Sequence, residues 1–165
     1  MGDVGALVNY YCRAGHWRHV QTVCDEVLRS RGHDGTLSFW KAYGTGREGN
    51  VNQTIRELSA LRGKRDLEFP ATEALLYWHN SVKLRDHEAL SNLTMGLGQA
   101  EDRASEASLL LAATFLWHVG EFGRARKLCA RVQEQSPMSA KALTLRGWIE
   151  LTCKPVRLYI VSLRQ

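Results

Sequence analysis

Six residues of the chain, Gly44-Thr45-Gly46-Arg47-Glu48-Gly49, satisfy the G-x-G-x-x-G spacing that cradles a dinucleotide pyrophosphate when it joins a strand to a helix. The residues before it, Leu37, Phe39, Trp40 and Tyr43, follow helical rather than alternating intervals, so no strand feeds the loop. No cofactor is expected there, and no P-loop spacing occurs elsewhere. His16 and His19 are three apart and could share a helix face, but no further ligands beside them complete a four-ligand shell, so no metal is expected. His33, His79, His87 and His118 do not cluster. The paired carboxylates Asp25-Glu26 and Glu101-Asp102 lack a companion nucleophile or base, so no catalytic residue is assigned. Cys12, Cys24, Cys129 and Cys153 form no Cys-x-x-Cys pair and read as small reduced core residues. The expectation is a non-enzyme without a small-molecule substrate.

What these residues do share is a repeating frame. Gly15 is followed by Trp17, Val20, Cys24 and Val27, and Gly120 by Phe122, Ala125, Cys129, Val132 and Pro137. An aromatic at +2, a small or medium apolar residue at +5, apolar residues at +9 and +12 and a breaker at +17 match a tetratricopeptide repeat. Gly15 and Gly49 stand 34 residues apart, the length of that helical hairpin. Gly49 and Gly120 stand 71 apart, two repeats with three residues inserted.

The frame predicts an all-α, right-handed superhelical solenoid of about four helix-turn-helix repeats plus one extra helix. The repeats fall at about 1–34, 35–68, 69–104 and 105–138, with a half-repeat over 139–152 and a divergent tail over 153–165. Val4, Leu7, Val8 and Tyr11 take the i, i+3, i+4, i+7 positions of the first helix. Its partner ends at Gly32, a residue suited to a left-handed cap. The turn glycines are expected to relieve either close helix crossing or a positive φ. The third repeat is degenerate: Pro70 opens its first helix, and Gly96 and Gly98 predict a short second helix with a loop over 96–104. The tail, from Val156 onward, carries no glycine turn and no second repeat helix.

Repeat arrays present surfaces rather than active sites. The first helix of each pair should line a concave face, at Asn9, Arg13, Phe39, Tyr43, Arg47, Tyr77, Asn80, Thr114, Trp117, His118 and Trp148. Aromatics and arginines are the residues from which protein interfaces draw most of their energy, with Tyr43 and Trp117 the expected anchors. The formal charge of +5 is spread rather than run together, which argues against nucleic acid. No apolar stretch approaches membrane-spanning length. The start, Met1-Gly2-Asp3, has no secretory pattern, so a cytoplasmic protein is expected.

Longer strings carry a more specific likeness. Asn9-Tyr10-Tyr11-Cys12, Lys41-Ala42-Tyr43-Gly44-Thr45, Phe115-Leu116-Trp117-His118-Val119-Gly120 and Leu145-Arg146-Gly147-Trp148-Ile149-Glu150-Leu151-Thr152 resemble the start of the tetratricopeptide repeat protein 21 family. The likeness runs from about residue 6 to 152. The family includes the large helical-repeat subunit of intraflagellar transport complex A. The resemblance implies a scaffold in retrograde ciliary transport and cilium assembly, linked to Hedgehog signalling. It implies other complex A subunits as partners and a place in the cilium and at its base. Family members are much longer, so a short form without independent function is one alternative. Another is a generic repeat adaptor or a chaperone-docking module. The chaperone clamp wants Lys and Asn at groove positions where this chain has Gly5 and Asn9, and a second Asn where it has Tyr43.

Overall fold

The computed structural model describes residues 4–153, and the predicted features of the tail from residue 154 onward lie outside them. Among the described residues the chain is entirely helical. In order come α1 (Val4–Ala14), α2 (Trp17–Arg31), α3 (Gly35–Arg47), α4 (Val51–Arg62), α5 (Glu68–Ser81), α6 (His87–Asp102), α7 (Glu106–His118), α8 (Phe122–Gln135) and α9 (Ala140–Cys153). Each helix packs on its successor through most of the chain, and the first helices of adjacent pairs also meet, α5 on α7 and α7 on α9. This is a helical-repeat solenoid.

Local signals start the helices. Asp34 accepts a bond from the Leu37 amide at 3.0 Å, and Asp86 one from Ala89 at 2.9 Å. Ser105 accepts from Ser108 at 3.3 Å. Each satisfies an amide that the first helical turn leaves without a partner. Three helix ends share one stop. Gly15, Gly49 and Gly120 hold φ at +72°, +101° and +88°. The next amides, of His16, Asn50 and Glu121, reach back to Tyr11, Thr45 and Leu116 at 3.0, 3.2 and 2.8 Å. That six-to-one bond, with the glycine amide bonded three residues back, is the Schellman geometry. A β-carbon on Gly49 or Gly120 would meet nothing within 4 Å. Positive φ, not close helix crossing, is therefore why glycine sits at these turns. Gly32 also has positive φ, at +80°, but its ψ of −150° places it outside the left-handed helical cap that the sequence suggested.

Close approach operates elsewhere, at the other glycines of the G-x-G-x-x-G string. All but the last two residues of that string lie within α3. A β-carbon on Gly46 would lie 2.5 Å from the Trp78 ring and 2.9 Å from Thr54 Oγ1. The Thr54 hydroxyl is fixed there by donating to Ala42 O at 3.0 Å. Gly46→Ala is expected to destabilise the chain by about 1–3 kcal/mol through overpacking, read as a lower urea midpoint with unchanged slope.

The predicted loop over 96–104 is not formed. Helix α6 continues through Gly96 and Gly98 to Asp102. Leu93 and Ala100 are buried, Leu97 packs against the core, and Glu101 and Asp102 are tied to α8 by ion pairs. Those contacts outweigh the roughly 1 kcal/mol that each interior glycine costs a helix.

The helices divide into two kinds. Outer helices such as α2 and α8 bury one stripe, Val20 and Cys24 in α2 and Ala125, Leu128, Cys129 and Val132 in α8. Inner helices α3, α5 and α7 are buried nearly all round. Helix α3 alone buries Leu37, Phe39, Trp40, Ala42, Tyr43 and Thr45. The inner helices converge on one aromatic cluster, described next.

Candidate partner-binding surface

Helices α3 and α7 come from repeats two apart, yet their aromatic faces touch. Phe115 stands edge-on to Phe39 at 5.7 Å and to Tyr43 at 5.6 Å. Tyr43 also meets Trp17 and Trp40 edge-on, both at 5.7 Å, and Trp40 meets His118 at 5.5 Å. Edge-to-face pairs of this kind add about 0.5–1.5 kcal/mol each beyond area burial. Phe39 is 0% exposed and Tyr43 1%. Neither can be reached by a partner, which corrects the expectation that they line an open groove: the array curls until its inner helices fill the concavity with their own side chains. Burial pushes the Tyr43 hydroxyl well above its usual range, keeping it neutral.

Helix α1 closes the same space. His118 Nε2 lies 3.0 Å from Asn9 Oδ1, a contact between residues 109 apart in sequence. The Arg13 guanidinium sits 5.1 Å from the Trp117 ring centre and 4.9 Å from that of Trp148. Trp117 is 8% exposed, and its Nε1 donates to Thr152 Oγ1 at 2.8 Å. Trp148 keeps 46% of its surface open. On the opposite wall, Arg47 stacks 4.8 Å from the Trp17 ring. Arg13, Trp17, Arg47, Trp117, Phe122 and Thr152 thus border one open cleft of about 290 Å³.

The structure therefore gathers Asn9, Arg13, Arg47, Trp117, His118 and Trp148 of the expected surface. It scatters the remainder. Tyr77 is half-buried against Trp78 and Phe115, at 5.1 and 5.8 Å. Thr114 turns its hydroxyl back to Leu110 O at 2.8 Å. Asn80 is exposed, with its amide donating to Leu76 O at 2.9 Å. Trp17 and Phe122, the +2 aromatics of the repeat frame, are half-exposed walls of the cleft.

Burial, then the nearby charge of Arg13, pushes the His118 imidazole down to about 4. In the unfolded chain it titrates near 6.5. A depressed folded value means that stability is complete above pH 6.5 and is lost as pH falls toward 4. The chain should lose roughly 2 kcal/mol between pH 7 and pH 5 from this residue. Urea titrations at the two pH values, in wild type and in His118→Gln, should show the difference confined to wild type.

Other chemical candidates have structural duties. The His19 ring lies 5.1 Å from Tyr11 and that of His16 6.3 Å. Asp25 pairs with Lys41 at 2.6 Å. Cys12, Cys24 and Cys129 are buried thiols, and burial pushes the first two up to about 12 and the third to about 11. No described helix is long and apolar enough to cross a membrane.

A stack of 34-residue helix pairs is shared by many proteins, and comparison with known sequences narrows it. The family model described as "Tetratricopeptide repeat protein 21 N-terminal ARM repeat" matches residues 8–159, nearly the whole chain. The chain belongs to the tetratricopeptide repeat protein 21 family. The match extends past residue 152, into the stretch read from sequence as tail. Tetratricopeptide repeat protein 21B of Homo sapiens is 31% identical over 150 residues, covering 91% of this chain and 11% of the relative. The Xenopus laevis 21B protein is 32% identical over 149 residues, covering 90% and 11%. Tetratricopeptide repeat protein 21A of Homo sapiens is 32% identical over 147 residues, covering 89% and 11%. The chain therefore spans about a tenth of the length of the curated relatives it matches.

Proposed function

We propose that this chain is a non-catalytic protein-binding scaffold that works within intraflagellar transport complex A, in retrograde ciliary transport and cilium assembly. The observation that carries the reading is the match of nearly the whole chain to the amino-terminal repeat of the tetratricopeptide repeat protein 21 family. Its partners are proteins, other complex A subunits foremost, and its place of action is the cytoplasm, the cilium and the ciliary base. The inner aromatics make the array rigid, which lowers the ordering cost of binding. Contacts then fall to what remains exposed: Arg13, Arg47, Asn80 and Trp148.

The reading is tested by capture from ciliated cells with the tagged 165-residue chain and identification of bound proteins by mass spectrometry. Complex A subunits are expected. Capture of chaperones through their carboxyl-terminal peptides would contradict it and favour the docking-module reading.

A further inference from the structure

The cleft between the inner helix ends has walls of unusual chemistry. Arg13 and Arg47 both face it, and neither makes an ion pair with a carboxylate among the described residues. The acidic residue beside Arg47 is already committed: Glu48 accepts from Arg18 Nε at 3.1 Å and from Gln21 Nε2 at 2.9 Å. The Arg13 guanidinium lies over the Trp117 and Trp148 rings, which neighbour each other at 6.4 Å. A guanidinium seated over aromatic rings keeps N–H donors available, and these match a carboxylate in a two-bond fork. Trp117 is fixed in turn by its bond to Thr152. The positive field of Arg13 is felt nearby, where it adds to burial in keeping His118 neutral.

We infer that this cleft binds an acidic segment of a partner protein, its carboxylates taken by Arg13 and Arg47 and its apolar side chains by Trp17 and Trp148. The inference rests on the reading of the chain as a protein-binding scaffold and names the chemistry of one partner surface. Three observations favour a peptide over other anions. A volume of about 290 Å³ is far larger than a phosphate requires. Beside the cleft the Trp148 ring, next to Arg13 and Trp117, is 46% exposed, whereas a membrane surface is met by clusters of basic residues on a juxtamembrane or amphipathic segment. Recognition of acidic motifs by paired arginines is a recurring mode of peptide binding. The chain's own residues 154–165 carry Lys154, Arg157 and Arg164 and no Asp or Glu, so that stretch does not supply the charge.

The test uses the 165-residue chain and a fluorescein-labelled peptide of six glutamates flanking one leucine, followed by anisotropy and by intrinsic tryptophan emission. Arg13→Gln and Arg47→Gln are each expected to weaken binding about fivefold or more, while Arg29→Gln, on the exposed last turn of α2, leaves it unchanged. Thermal unfolding of Arg47→Gln should match wild type, so its loss of binding is not loss of fold. Arg13→Lys keeps the charge but loses the fork, and should fall between wild type and Arg13→Gln. Equal weakening by Arg29→Gln would overturn the inference, since diffuse charge would then suffice. So would equal binding of a six-lysine peptide, or binding of inorganic phosphate or phosphatidylserine vesicles in place of the acidic peptide. If Arg13→Gln and Arg47→Gln bind the peptide normally while the chain still captures complex A subunits, the cleft assignment fails and the scaffold reading stands. If the peptide binds as expected and no such subunit is captured, the converse holds.

Discussion

Tyr43→Ala should lower the stability of the chain by about 3–5 kcal/mol, the cost of truncating a large aromatic in a closed core. The ring it removes is packed by Trp17, Trp40 and Phe115 and has 1% exposure, so the cavity left behind can collapse only through helices that are themselves fixed. Tyr43→Phe should behave oppositely. The Tyr43 hydroxyl is buried and has no hydrogen-bond partner among the described residues. Removing it relieves an unmet desolvation cost and should leave stability unchanged or raise it by up to about 1 kcal/mol. Urea unfolding of the two variants separates a packing role from a binding role. A partner anchor on an open face would give Tyr43→Ala a stability close to wild type, with only binding lost.

The second large effect concerns a charged network behind the core, joining α5, α6 and α8. Glu73 is 6% exposed and accepts from Arg124 Nε at 2.6 Å. Arg124 also donates to Glu101 at 2.9 Å, and Arg131 donates to Glu101 at 3.0 Å and to Asp102 at 3.2 Å. Burial pushes the Glu73 carboxyl up, and Arg124 opposes that shift without cancelling it. Arg124→Ala therefore leaves a buried carboxylate without its cation and should cost about 3 kcal/mol at neutral pH. A carboxyl raised in the folded state contributes stability below its unfolded value and loses it as pH rises through the folded value. The variant's deficit should accordingly shrink as pH falls and the raised Glu73 carboxyl takes up a proton. Combining Arg124→Ala with Glu73→Leu should recover much of the loss at pH 7. Additive losses in the double variant would show that the two residues do not act together.

The helix pairs were legible because their signals are local. A positive φ demands glycine at 15, 49 and 120, and the intervals of Val20, Cys24, Ala125 and Cys129 mark the inner stripes of α2 and α8. Helix α6 was misread at Gly96 and Gly98 for the converse reason: its ends are held by Leu93, Leu97 and ion pairs to α8, which no local pattern shows. The candidate surface was half legible. Register placed Phe39, Tyr43, Trp117 and His118 together on the inner helices, but register is silent on how tightly an array curls. The contact of His118 with Asn9 spans 109 residues and decides that Tyr43 packs inward while Arg13 faces a cleft. Trp17 and Phe122 went unrecognised as cleft walls because their repeat position is also a packing position.

All of this depends on helix α1 closing against α7 and α9. The most direct measurement is a nuclear Overhauser experiment on the labelled chain, read at the Asn9 side-chain amide and the His118 ring. A cross-peak between them, accompanied by one between the Phe115 and Tyr43 rings, is predicted from the 3.0 Å contact and the 5.6 Å ring pair. A spectrum in which α1 shows cross-peaks only to α2, and Tyr43 none to Phe115, would mean an open array with its aromatics exposed, and would contradict the account.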